Sequence, residues 1–128
     1  NYSTCEELEK VGQLYGISVN LLAEIGLNNP HKLMMTKISN NSMYDLISPT
    51  DNIIIDITDN VFNRDDIYLI KDQNRLDIRL LTLIRDDNKI NVSMYNKRFT
   101  GNLSSNFESD EINKLICGRV VKILKNTN

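Results

Sequence analysis

From Leu33 to Leu124 the chain is cut into short aliphatic runs by clusters of Asn, Asp and Ser. The runs are Leu33 to Ile38, Asn52 to Ile57, Asp66 to Lys71, Arg75 to Ile84, Lys89 to Tyr95 and Leu115 to Leu124. In Asp66 to Lys71, Ile67 and Leu69 alternate with Tyr68 and Ile70, the period of two that a strand requires. Asp72-Gln73-Asn74 and Asp86-Asp87-Asn88 are short enough to close hairpins. Short strands at this spacing, joined by hairpins with no helices between them, predict a mainly antiparallel β domain. Asn96 to Asn113 reads as a long polar irregular stretch.

The N-terminal end has a different period. Ser3-Thr4-Cys5-Glu6 has the form of a capping box. Leu8, Val11, Leu14 and Tyr15 follow at helical spacing, and Gly16 is placed to stop the helix. Ser18 opens a second, shorter helix carrying Leu21, Leu22 and Ile25 and ending at Gly26. The prediction is a short N-terminal helical hairpin, then a turn at Asn28-Asn29-Pro30. The first residue is Asn rather than Met, so the sequence reads as a fragment.

The net charge of -2 gives no basic stripe for phosphates, so any DNA contact is expected from residues outside this chain. Cys5 and Cys117 are far apart and His31 is the single histidine, which speaks against a zinc site and for reduced cysteines in a cytoplasmic protein. Asp51, Asp56, Asp65 and Asp66 punctuate strand ends without a ligand-rich loop, so they read as solvated turn aspartates. No metal and no cofactor is expected. No apolar run approaches the ~20 residues of a membrane span.

Ser42 is the candidate nucleophile. It lies in the polar turn Asn40-Asn41-Ser42-Met43, followed by Pro49-Thr50-Asp51 and the strand Ile53-Ile54-Ile55-Asp56. This order resembles the self-cleaving peptidase domain of the LexA and phage-repressor family, whose usual run is Gly-Asp-Ser-Met-Glu-Pro-Thr, then Gly-Asp and an aliphatic strand. Ser42, Met43, Pro49, Asp51 and Asp56 fall in register with it. Asn41 stands where the family has Asp, Asp45 where it has Pro, and Thr50 where it has Gly. Asp65-Asp66-Ile67-Tyr68 is similar to its Gly-Asp-Ile-Tyr, and Gly118-Arg119-Val120-Val121 to its closing strand. Leu8 to Leu22 resembles the last two helices of a phage-repressor helix-turn-helix domain, with a small helical hairpin of any origin as the alternative. The resemblance implies three parts: the end of a truncated helix-turn-helix domain at 1–27, a linker at 28–36, and a LexA/signal-peptidase-like β domain at 37–128.

The family pairs its serine with a lysine, which can lose its proton when buried and act as a general base. The corresponding strand here is Leu76-Asp77-Ile78-Arg79-Leu80-Leu81, so the base position holds Arg79. A guanidinium stays protonated in proteins and cannot accept the serine proton. Lys71 is the one nearby substitute, and it is expected to point into the turn. The family's cleaved bond, a small residue before Gly, has no counterpart between Leu27 and Lys37. Ser42 therefore reads as a turn serine rather than a working nucleophile, Met43 as core, and Arg79 as an exposed strand residue paired with Asp77. Lys122 and Lys125 read as protection of an edge strand.

What the resemblance implies is a prophage or bacterial transcriptional repressor whose β domain forms a homodimer for operator DNA, without self-cleavage. Release from DNA then calls for an antirepressor protein or a RecA-type inducer. The alternatives are an active Ser42-dependent self-cleaving peptidase, and an accessory subunit of a translesion polymerase like UmuD.

Overall fold

The computed structural model describes residues 15–16, 24, 26, 33–38, 40–72, 75–96 and 105–126. Among the described residues, eight strands form one antiparallel sheet: β1 (Tyr15–Gly16), β2 (Leu33–Thr36), β3 (Asn52–Asp56), β4 (Asp66–Asp72), β5 (Arg75–Ile84), β6 (Lys89–Ser93), β7 (Ser105–Phe107) and β8 (Ile116–Leu124). Their order across the sheet is β1-β2-β3-β8-β4-β5-β6-β7. The mainly β antiparallel class is the one the sequence predicts. The six strands read from the aliphatic runs all form, with ends close to those predicted.

Alternation sorts the core into two faces. Ile53, Ile55, Leu69 and Ile78 join Met43 and Ile47 of the serine turn in one buried cluster. Tyr68, Ile70, Leu81, Ile90 and Val92 belong to a second, closed by Ile112. Successive residues of one strand thus enter different clusters, as pleating demands. Met43 is core, as expected.

Several expectations are corrected. The stretch read as irregular contains β7 and a one-turn helix, α1 (Ser109–Asn113). Glu111 accepts the Glu108 backbone N–H at 3.0 Å, and Ile112 anchors the helix in the core. Leu33–Thr36 form β2, as the aliphatic run predicts, and pair with Ile53 to Asp56. Tyr15–Gly16, placed at the end of a helix, instead pair with Met35 and Met34. Glu24 is helical and Gly26 turns with φ of 74°. The rest of the predicted hairpin, with Cys5 and His31, lies outside the described residues. β8 sits in the middle of the sheet between β3 and β4, so Lys122 within it and Lys125 just past it protect no edge.

Gly118 explains how β8 packs there. A Cβ at this position meets the Asp56 carbonyl oxygen and Ile55 Cγ2, each at 2.6 Å. The register of β3 on β8 shifts beside it, between Ile54 and Ile55. Only glycine lets the two backbones approach this closely.

Candidate functional site

The turn that carries Ser42 is built from asparagines. The Asn40 side-chain oxygen accepts the Ser42 N–H at 2.9 Å, the short-range bond that asparagine makes in turns. Tyr44 N–H donates to the Asn41 carbonyl at 3.1 Å and Ile47 N–H to that of Met43 at 2.8 Å. Asn96, just past β6, clamps the turn from outside. Its N–H donates to the Ser42 carbonyl at 2.8 Å and its side-chain amide to the Asn41 carbonyl at 2.9 Å. Buried Met43 pins the turn to the sheet, and its sulfur receives the Tyr95 N–H at 3.4 Å.

Ser42 is 1% exposed. Arg79 reaches it from β5: Nη1 donates to Ser42 Oγ at 3.3 Å and to the Ile78 carbonyl at 2.8 Å. Arg79 is 9% exposed, not the exposed strand residue expected. The expected partner is present, with Asp77 Oδ2 at 3.5 Å from Arg79 Nη2, and the same carboxylate lies 3.5 Å from Arg75 Nε. The structure thus brings together the two candidate residues, 37 positions apart. Lys71 pairs with Leu76, further along β5 toward the hairpin than Arg79, and its N–H donates to the Leu115 carbonyl at 2.8 Å.

The direction of the serine bond decides its chemistry. A base must accept the serine proton. A guanidinium only donates, so Oγ is the acceptor and its proton points elsewhere. The pair can hold the turn or orient an anion. It cannot generate an alkoxide.

Asp51 is 1% exposed, against the expectation of a solvated turn residue. Its carboxylate accepts the Ser48 N–H at 2.9 Å, the Asn126 N–H at 2.9 Å and Lys125 Nζ at 2.6 Å. Burial pushes its pKa up, but the Lys125 bond and the two backbone donors outweigh burial and hold it well below the usual carboxylate range. Lys125 also donates to the Leu46 carbonyl at 3.0 Å. The end of β8 is therefore clasped to the loop that follows the serine turn.

Asp56 and Asp66 are partly buried and Asp65 is exposed. Arg119 donates through Nε to Asp59 at 2.5 Å and through Nη1 to Asp66 at 3.3 Å. Burial lowers the Arg119 pKa, but the two carboxylates raise it above its ordinary value. Among the described residues, no group of three His, Cys, Asp or Glu side chains is placed to hold a metal ion. No described helix is long and apolar enough to cross a membrane.

Nothing local in the sequence marks Asn96, Asp59 or the Asp51–Lys125 clasp, since each acts across more than 50 positions.

Ser42, in a turn against the sheet, thus faces a cation carried by β5. A family model described as Peptidase S24-like matches residues 5–121, and the chain belongs to that family, the type of domain found at the C-terminal end of LexA, UmuD and phage repressors. No curated protein matches the chain.

Proposed function

We propose that this chain is the β domain of a repressor and works as a dimerising module that does not cut itself. The observation that carries the reading is the donor from buried Arg79 to Ser42 Oγ. It supports Ser42 as the vestige of a nucleophile position and Arg79 as an inactive occupant of the base position. Dimerisation holds two DNA-binding units at the spacing of a two-fold operator and raises their joint affinity through effective concentration. The net charge of -2 favours DNA contacts from outside this chain. The match from residue 5 and the place of β1 in the sheet support counting the early residues with the β unit rather than with a helix-turn-helix domain. Release from operator DNA then falls to a protein that binds the β domain, an antirepressor or a RecA-type inducer.

The test is incubation at alkaline pH with intact mass, beside Arg79→Lys and Ser42→Ala, and sedimentation of each protein. The expected result is a dimer of unchanged mass. Fragments that disappear in Ser42→Ala overturn the non-cleaving part, and a monomer at micromolar concentration overturns the dimerising part.

A further inference from the structure

β7 stands at the edge of the sheet. It pairs with β6 through Ile90–Phe107, Asn91–Asn106 and Val92–Ser105, and among the described residues no strand lies beyond it. One set of its backbone N–H and C=O groups therefore points away from β6. Its sequence, Ser-Asn-Phe, has neither the charge nor the proline that commonly blunts an edge. Ser105 and Asn106 are exposed and Phe107 is half-buried.

A cavity of about 160 Å³ lies beside this edge. Ser105 and Phe107 line it and Asn106 does not, because alternate residues share a face. Asn106 is on the opposite face, where its Oδ1 accepts the Asn91 side-chain amide at 2.8 Å. Val92, Ile112 and Leu115 give the cavity apolar wall. Its charged lining is Arg79 and Asp77, which offset each other across 3.5 Å. The cavity thus favours neither sign of charge and suits a neutral, apolar group. A cavity of ~150 Å³ holds a benzene-sized body, the size class of a leucine or phenylalanine side chain.

We propose that the edge of β7 takes a short extended segment of a partner protein as an added strand, with one apolar side chain of that segment in the cavity beside Phe107. An open edge that supplies main-chain hydrogen bonds and a pocket that takes alternate side chains are the two parts of strand addition. An added strand lies ~4.8 Å from β7, and its side chains on the cavity face stand ~5 Å from those of Ser105 and Phe107. A second copy of this chain is the poorer occupant. On that face its β7 offers Ser105 and Phe107, and Phe107 already packs against its own core. Three paired residues extend for about 10 Å, too short to build the ~800 Å² per partner of a stable contact between folded domains. Binding of this kind requires neither a dimer nor an inactive serine.

The experiment is titration of the isotope-labelled full chain with the peptide acetyl-Ser-Thr-Leu-Thr-Ser-amide, read by backbone amide shifts. Saturable shifts are expected at Ser105, Asn106 and Phe107. Alanine in place of the peptide's leucine should weaken binding about 10-fold or more, the loss of one buried aliphatic side chain. Methylation of the peptide's backbone nitrogens should weaken it roughly 5-fold or more, through lost main-chain hydrogen bonds. Ser105→Phe should fill the cavity from an exposed position and abolish binding. If that variant does not fold, the peptide series on the unaltered protein decides alone. No shift at β7 with millimolar peptide, or equal affinity for the leucine and alanine peptides, overturns the proposal. Shifts at β7 that follow protein rather than peptide concentration assign the edge to a second copy and overturn it as well. Sedimentation of the same samples separates the two readings, since a monomer that binds the peptide sinks the dimerising reading alone.

Discussion

Arg79 Nη1 lies 3.3 Å from Ser42 Oγ, and the proton in that bond belongs to arginine. The bond joins the middle of β5 to a turn 37 positions earlier and closes one end of the core around Met43. A lysine in the same place can be neutral and accept a proton, but arginine cannot. Arginine at this position can hold the turn, and it cannot take the serine proton.

Ser42→Ala tests what this bond contributes to stability. Among the described residues, every buried side-chain nitrogen and oxygen has a hydrogen-bond partner. Removing the hydroxyl takes one acceptor from a nearly buried guanidinium. The expected cost is about 1–2 kcal/mol, the range for a lost partner of a charged group with other acceptors nearby. Urea unfolding of the variant should show a lower midpoint with unchanged slope. A midpoint equal to the parent's means that the Arg79–Ser42 bond contributes nothing.

Acid sensitivity follows from Asp51. Its folded pKa is depressed, so its contribution is fully present above the unfolded carboxyl value of ~3.9 and is lost as pH falls through the folded value. Unfolding free energy measured from pH 7 downward should therefore decline below about pH 4. Asp51→Asn should be less stable at neutral pH by about 2 kcal/mol, discounted because Lys125 is half exposed. The variant should also lose much of the acid slope. An unchanged slope would show that the clasp is not the group that titrates.

The strands were legible because pleating writes its period into Ile67 to Ile70, and because Asp and Asn mark the hairpins. Asn88 adopts φ of 52°, a conformation asparagine tolerates, at the expected tip. What escaped was set by distance. Helix α1 spans only five residues and follows Glu108, which is not among the preferred capping residues. Alternation shows that Arg79 shares a face with Asp77, but not that a turn from elsewhere covers it. Asp51 looked solvated because its lysine is 74 positions away. Lys122 and Lys125 looked like edge residues because strand order, unlike strand identity, leaves no local mark. Ser42 was legible as a candidate because turn, serine and strand are contiguous.

Gly118→Ala tests the close approach of β3 and β8. The added methyl meets backbone, the Asp56 carbonyl oxygen at 2.6 Å, which cannot rotate away as a side chain can. Forcing the strands apart should cost about 2–3 kcal/mol, the upper part of the range for overpacking. Thermal unfolding should show a clear drop in the midpoint. Retained stability would mean that the bulge beside Ile55 slides to make room.

Arg119 holds together the loop after β3, the start of β4 and the middle of β8, through Asp59 and Asp66. Its planar fork places separate donors on the two carboxylates, and a lysine offers a single point charge in their place. Arg119→Lys should therefore recover only part of the parent's stability, and Arg119→Met none of this contribution. The methionine variant leaves Asp59 and Asp66 without their shared cation, at a cost of about 2–3 kcal/mol near pH 7, below the range for fully buried pairs because these groups are partly solvated. The gap between parent and Arg119→Met should narrow as ionic strength rises, since salt screens partly exposed charges. Denaturant midpoints at low and high salt measure this directly. A gap that stays constant would assign the effect of Arg119 to packing of its stem, since salt does not screen packing.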